Sequence, residues 1–420
     1  MDILVVGGGG REHALIKKIK ESPKCSKVYA APGNAGISRD AECVPIKATD
    51  LAEMVSFAKE KQIDYVVVAP EDPLALGMVD ALAQVGIPAF GPSSLASRIE
   101  SSKIFAKDLM KKYDIPTASY ETFDNIIHAL SYVEQAERFP VVVKADGLAM
   151  GKGVIIAETA DEAKNAICGM MQDVKFGESG SRIVIEEFLA GPEVSVLAFA
   201  DGETVIPMVS SMDHKRAFDG NCGPNTGGMG TIAPNPHYTT ELAEVCMKTI
   251  FLPTIKAMKA EGCPFSGCLY FGLMLTSLGP RVIEYNCRFG DPETQVVLPL
   301  LQGDLLEIML ASTEGSLNKQ EICWKDGFAA CVIIASGGYP GSYKKGISIT
   351  GIEEAEAESG VLVYHAGTAW QDGKTVTVGG RVLGVSATGP DLVTALEKAY
   401  RAVSEIHFEG GFYRSDIGTY

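Results

Sequence analysis

The sequence predicts a mixed, multidomain protein: a parallel-sheet α/β domain first, an α+β middle region, and a small β-rich domain last. Three observations carry this. The chain has 420 residues, too many for one small core. Its first hundred or so residues alternate apolar strands (ILVV, KVYAAP, DYVVVAP, IPAFGP) with amphipathic helices over 13–19 and 51–61, the βαβ rhythm of a parallel sheet. From about residue 327 the texture changes to strands and tight turns, FAACVIIAS, GVLVYHAGTA and KTVTVGGRVLGVSATG, closed by a helix over 391–407, which suits a small antiparallel sheet.

Composition narrows the function. A hydrophobic share of 46% and 8% aromatics are those of an ordinary globular protein. A net charge of -16 argues against nucleic acid, whose phosphates would be repelled by most of the surface, so anionic small ligands need local basic or backbone N–H pockets. The start, MDILVV, has neither the basic segment of a signal peptide nor the length to span a bilayer. The expectation is a cytoplasmic protein with no membrane contact. The 10 cysteines show no C-x-x-C pair and read mostly as small core hydrophobes in a reducing compartment, and the six histidines show no zinc-like spacing.

Ligands of a parallel sheet gather at the carboxyl ends of its strands. Three such ends carry unusual loops: Gly7-Gly8-Gly9-Gly10-Arg11-Glu12-His13, Pro32-Gly33-Asn34-Ala35-Gly36 and Pro70-Glu71-Asp72-Pro73-Leu74. The first approaches a dinucleotide fingerprint, but Glu12 stands where the third glycine belongs, and Pro32-Gly33 supplies no acid for a ribose hydroxyl. A nicotinamide enzyme is therefore the weaker reading. Phosphate at a helix N-terminus, or a tight turn and nothing more, both remain.

Residues 103–112 read as a helix capped by Ser101 or Ser102, with Lys103 and Lys107 one turn apart, a spacing that usually marks a solvated stripe. The strand PVVVK ends in Lys144, a buried cation that needs an anion. The loop after it holds Gly147, Gly151, Lys152 and Gly153, spaced wrongly for a Walker A loop yet able to fold its N–H groups onto phosphate oxygens. The strand RIVIEEFL follows, with Glu186 and Leu189 near its end. Gly191-Pro192-Glu193 then links it to VSVLAFA, either as a plain connector or as an edge for a purine with Glu193 at the ribose.

Asp213-His214-Lys215-Arg216 opens a glycine-rich run to Gly230, too rich in glycine for helix or central strand and too apolar for disorder, which favours a functional loop. A helix over 240–260 and a strand over 267–275 lead to RVIEYNCRFGDPETQ at 281–295. Strand alternation puts Glu284 and Asn286 on one face and Tyr285 on the other, a hard-oxygen pair suited to Mg²⁺. Arg288, Gly290, Asp291 and Glu293 lie in the turn that follows. A helix near 304–313 completes the middle region. Arg381 and the His365-Ala366-Gly367-Thr368 turn are further candidate contacts that turn chemistry explains equally well.

In this order, GGGGREHA, APGNAG, KADGLAMGKGV, IEEFLAGPEVS, DHKRAFDGNCGPNTGGMG, EYNCRFGDPETQ, SGGYPG and GGRVL resemble the phosphoribosylamine-glycine ligases of the ATP-grasp superfamily, over nearly the whole chain. The resemblance implies a preATP-grasp domain at 1–101, a two-lobed ATP-grasp region at 102–325 with its small lobe about 121–188, and a C-terminal domain at 326–420. It implies a monomeric enzyme of purine biosynthesis whose small-molecule substrates are glycine, 5-phosphoribosylamine and ATP, with Mg²⁺ or Mn²⁺. One departure from the superfamily stands out. The strand before Glu284, GCLYFGLM, has no additional metal carboxylate.

The implied chemistry assigns roles. A carboxylate is a poor electrophile until a γ-phosphoryl group turns its oxygen into a leaving group, a step that needs charge neutralisation. Glu284 and Asn286 are expected to hold the metal, and Lys103, Lys144, Gly151, Lys152, Gly153, Glu186, Leu189 and Glu193 the nucleotide. Arg288 is expected on the glycine carboxylate, Asp213 or Asp291 on its ammonium, with Lys215 and Gly290 beside them. Gly9, Gly10, Gly33, Asn34, Pro70, Glu71 and Asp72 are expected at the ribose phosphate.

Overall fold

The structure, a computed structural model, describes residues 1–148, 153–172 and 181–419. The N-terminal sheet is parallel, with Asp2–Gly7 at its centre, Lys27–Pro32 and Glu42–Cys43 on one side, and Tyr65–Val68 and Ala89–Phe90 on the other. Its register pairs Gly7 with Pro32 and Val6 with Val68, so the three unusual loops leave the same edge, at the point where strand order reverses.

Two of these loops are more regular than expected. The first helix begins at once, as Gly10–Ile19, because Glu12 turns back to accept the Gly9 N–H at 2.6 Å and closes the helix start. Glu71 and Asp72 form the opening turn of a short helix, Glu71–Ala75, whose Pro73 sits where the missing N–H costs nothing.

The middle region holds two antiparallel sheets. The smaller runs Tyr120–Phe123, Ile183–Glu187, Val141–Ala145, Val154–Ala157, and its core is drawn only from residues between Phe123 and Ile185. The larger runs Val205–Pro207, Glu193–Asp201, Ser266–Thr276, Gly279–Asn286, and shares its core with the N-terminal domain. The expected helix over 240–260 is interrupted: Thr240–Cys246 passes through a π-turn at Met247–Phe251 into Leu252–Ala260. Pro253 explains it, since it has no N–H to close the bond to the turn before.

The last sheet reaches back into the middle region. Its strands, in order, are Met212–Asp213, Gly230–Ala233, Phe328–Ala335, Arg381–Gly389 and Val361–His365, so the glycine-rich run leaves and re-enters this sheet. The run is not a bare loop either. Arg216–Phe218 and Cys222–Asn225 pair as a hairpin. The helix Leu392–Glu405 packs over this sheet, and its residues join the sheet's core. The cysteines are less uniformly buried than expected, with Cys222 and Cys323 exposed, and all 10 are free thiols.

Candidate active site

The segment 281–295 is the hub on which three domains meet. Tyr285 turns inward, buried, its hydroxyl 2.9 Å from Thr254 Oγ1. Glu284 and Asn286 therefore face the opposite way, as strand alternation requires. Burial pushes the Glu284 carboxyl up, but Lys215, Lys144, Lys103 and Arg288 outweigh it and hold it below its usual range. An acid ringed by four cations is a place where anionic phosphates and a divalent ion balance charge together. Opposite Glu284 is Gly272, whose added Cβ would lie 3.1 Å from Glu284 Cγ. Among the described residues no three His, Cys, Asp or Glu side chains cluster around a metal position. The donor set fits Mg²⁺, which takes one or two protein oxygens and completes its shell from phosphates and water.

The lysines converge from two elements. Lys144 is next to last in Val141–Ala145 and lies 2.8 Å from Glu186 Oε1, its Nζ also donating to the Ile283 carbonyl at 3.2 Å. Lys107 meets Glu186 Oε2 at 2.9 Å and Thr117 Oγ1 at 2.8 Å. Lys107 is not on a solvated stripe: it is buried, and burial pushes it down to about 8. Lys103, in the first turn of Lys103–Lys112, donates to the Gly147 carbonyl at 2.8 Å, and burial lowers its affinity for a proton. Its helix is capped by Ser102, as one of the two expected serines. Asp146 reinforces that cap, accepting from Ser102 Oγ and the Ile104 N–H and pairing with Arg182 at 2.7 Å. Gly153 lies at the start of the next strand, where its carbonyl accepts the Ala145 N–H. Gly151 and Lys152 lie outside the described residues. Leu189 is half-buried in the linker after Ile183–Glu187, and Glu193 opens the next strand with its carboxylate 2.8 Å from Lys215 Nζ.

Arg288 is committed to acids of the protein. Its Nε lies 3.1 Å from Glu71 Oε2, its Nη2 3.2 Å from Glu100 Oε1, and Nη1 donates to the Phe289 carbonyl. Two of its five N–H groups remain for a ligand. Glu71 is held down to about 2 because Arg288 and Arg11 outweigh burial.

Asp291 and Asp213 differ sharply in their surroundings. Asp291 accepts from Gln295 Nε2 at 2.8 Å and lies 3.5 Å from Arg381, and although burial pushes it up, Arg381 and Arg11 hold it low. Asp213 is pushed well up by burial and by Glu293, whose own carboxyl is raised by burial. Asp213 Oδ1 is buried without a hydrogen-bond partner among the described residues. Two carboxylates in low dielectric with an orphaned oxygen call for a cation. Glu293, 5% exposed, lies in the turn that the sequence places beside glycine, but no role of its own is legible for it in the sequence.

The N-terminal loops reach the same hub. A Cβ on Gly9 would lie 3.5 Å from Asp291 Oδ2, and one on Gly10 2.8 Å from Gln295 Nε2. Gly33 leaves the neighbouring strand with a left-handed φ of 71°. Asn34 spends its side chain internally, donating to the Gly8 and His365 carbonyls and accepting the Gly36 and Ile37 N–H groups. Pro70 precedes the Glu71 helix, Asp72 is exposed on its first turn, and Gly290 is buried against Glu293.

Comparison with known proteins decides the family. Models of the phosphoribosylglycinamide synthetase N domain, ATP-grasp (A) domain and C domain match residues 1–100, 101–294 and 329–420. The chain belongs to the phosphoribosylglycinamide synthetase family. Among its relatives in this family, a phosphoribosylamine-glycine ligase of Caldanaerobacter subterraneus is 49% identical over 419 residues, covering 100% of both chains. The crystal structure of the phosphoribosylamine-glycine ligase of Thermotoga maritima superposes with a TM-score of 0.84 at 34% identity, again over 100% of both. A biotin carboxylase domain of Hydrogenobacter thermophilus, solved with MgADP, shares the fold at a TM-score of 0.76 and 17% identity, over 98% of this chain and 91% of that one. Family membership removes the nicotinamide alternative. No helix among the described residues is long and apolar enough to cross a membrane.

Proposed function

We propose that this chain is an ATP-dependent, ADP-forming ligase that joins glycine to 5-phosphoribosylamine in purine biosynthesis. The observation that carries the reading is the single segment whose Glu284 is surrounded by lysines and an arginine and whose Glu293 forms an unsatisfied acid pair with Asp213, in a chain of this family. A glycine carboxylate oxygen attacks the γ-phosphorus of ATP; the bond to the ADP oxygen breaks and glycyl phosphate forms. The phosphoribosylamine nitrogen then attacks the acyl carbon, forming the C–N bond, releasing phosphate and losing a proton.

The chain's own residues divide this work. Lys103 and Lys144 neutralise the triphosphate beside Gly153, and Gly151 and Lys152, which lie outside the described residues, are assigned to the nucleotide from the sequence alone. Glu186 holds Lys144 in place, and Leu189 and Glu193 receive the base and ribose. Glu284 and Asn286 hold Mg²⁺, or Mn²⁺ in its stead, which when bound supplies charge neutralisation at the phosphates. Arg288 offers its two remaining N–H groups to the glycine carboxylate, and Asp213 with Glu293 takes the ammonium in preference to Asp291, which Arg381 already satisfies. Lys215 and Gly290 border this pocket. Gly9, Gly10, Gly33, Asn34, Pro70, Glu71 and Asp72 frame the ribose phosphate, Asn34 through its backbone. The reading includes a monomer in the cytoplasm, a reducing compartment in which ten free thiols are at home.

Phosphate release measured with ATP, Mg²⁺, glycine and freshly prepared phosphoribosylamine tests the reading. Release that depends on both glycine and the amine is expected; release indifferent to glycine would remove it.

A further inference from the structure

The glycine-rich run carries Asp213 and Lys215 into the site, yet glycine gives it little reason to stay in one place. Beyond its own hairpin and the strand pairing of Asp213 with Thr231, it is held by residues almost 200 positions further on. Arg414 is 2% exposed, and its guanidinium forks onto Asp416, with Nε 2.7 Å from Oδ1 and Nη2 2.9 Å from Oδ2. Its Nη1 donates to the Arg216 carbonyl at 3.0 Å, and Asp416 Oδ2 accepts the Gly220 N–H at 2.8 Å. The pair thus grips the first strand of the hairpin and its turn. Ser415 adds its N–H to Asp219 Oδ1 at 2.8 Å, and Phe412 meets Phe218 with ring centroids 6.0 Å apart. The Gly418 N–H donates to His214 Nε2 at 3.1 Å. His214 Nδ1, 3.2 Å from the Gly230 carbonyl, is then its protonated nitrogen. The tail is itself anchored, since Tyr400 OH donates to the Arg414 carbonyl and accepts the Ile417 N–H.

We propose that residues 414–418 are a strap that positions the loop bearing Asp213 and Lys215, with Arg414 and Asp416 as its positioning residues. A buried guanidinium is costly unless fully paired, and here Asp416 takes its fork while Nη1 and the Asp416 carboxylate both reach one loop that flanks the site. The inference rests on the reading that Asp213 serves glycine, but its physical core, ordering of the 214–228 run, can be measured without turnover. The strap has a direct consequence for catalysis: glycine binding depends on the last helix and tail of the chain, and nucleotide binding does so only by way of Lys215 and its pairing with Glu193.

The test compares wild type with Arg414→Ala, Arg414→Lys, Asp416→Asn and Asp213→Asn. Trypsin nicking after Lys215 or Arg216, followed by mass spectrometry, reports loop order. Nicking in Arg414→Ala is expected to speed up about tenfold, with glycine KM raised about tenfold and ATP KM within about twofold, as for loss of one charged hydrogen-bonded group. Arg414→Lys, which keeps the charge but not the fork, should recover part of both. If Arg414→Ala fails to fold, Asp416→Asn carries the same expectation. Unchanged nicking, or equal rises in both KM values together with a lowered Tm, would overturn the strap. An Asp213→Asn enzyme with normal glycine KM would instead remove the glycine reading and leave the nicking result to judge the strap alone.

Discussion

Arg381, on a strand of the C-terminal sheet, donates through Nη1 to the backbone carbonyl of Asp291 at 2.7 Å. The same nitrogen reaches the Gly227 carbonyl at 2.5 Å, and Nη2 lies 3.5 Å from Asp291 Oδ2. One guanidinium therefore ties the end of the glycine-rich run to the hub segment. Arg381→Ala should lower kcat/KM for glycine about 10- to 100-fold, the range for a lost charge-assisted contact, with ATP KM little changed. Arg381→Lys should recover little, because one ammonium cannot span three acceptors. Initial rates with each substrate varied decide it; a lysine enzyme near wild type would show that charge alone suffices.

Asp213 and Glu293 give a prediction with opposite signs for stability and activity. A carboxyl raised in the folded state binds protons that the unfolded chain has released, so stability falls as pH rises from the ordinary carboxylate range through the raised value. Asp213→Asn removes that repulsion. Its ligand-free Tm at neutral pH should exceed that of wild type, while glycine KM rises about 10- to 100-fold. Thermal melts from pH 4 to 8, with and without glycine, provide the check, and a lower Tm in the variant would contradict the unsatisfied-pair account.

How much of this was legible in the sequence follows from what each residue needs. The parallel sheet and its loops were legible because strand periodicity and glycine placement are local. Glu284 and Asn286 were legible because alternation fixes their face. Glu186, Lys107 and Glu293 gain their character from burial by distant strands, and no local pattern distinguishes such a lysine from a solvated one. Arg381 was visible beside its glycines, but its partners Gly227 and Asp291 are 154 and 90 residues away in sequence. The π-turn at Met247–Phe251 had a local signal in Pro253, which the helical pattern on both sides outweighed.

Arg288 serves the fold as well as the ligand. Removing it strips Glu71 and Glu100 of their shared cation, and breaking a buried pair from one side costs about 3–5 kcal/mol. Arg288→Ala should thus both raise glycine KM and lower Tm, and adding Glu100→Gln should return part of the Tm but none of the KM. Glu71, held down to about 2, contributes stability that is present above its ordinary range near 4.3 and lost as pH falls toward 2. That acid limb should flatten in Arg288→Ala. An unchanged acid limb, or an effect on ATP KM alone, would contradict the assignment.

Glu186 holds Lys144 and Lys107 at once, and this makes the nucleotide side sensitive to alkaline pH. Lys144→Ala should lower kcat about 10²- to 10³-fold, the usual cost of losing a charge that meets the transition state, with its circular dichroism retained. Lys107 acts one step further back. Burial brings it down to about 8, so above that pH it gives up its proton and leaves Glu186 balanced by Lys144 alone. Lys144 is then drawn toward the carboxylate and away from incoming phosphates. ATP KM should therefore rise as pH passes from about 8 to 9, while glycine KM follows a different course. Lys107→Arg, charged throughout this range, should move the rise upward. Initial-rate profiles between pH 7 and 10 for the two enzymes test it, and coincident profiles would mean that Lys107 does not govern the charge available at Lys144.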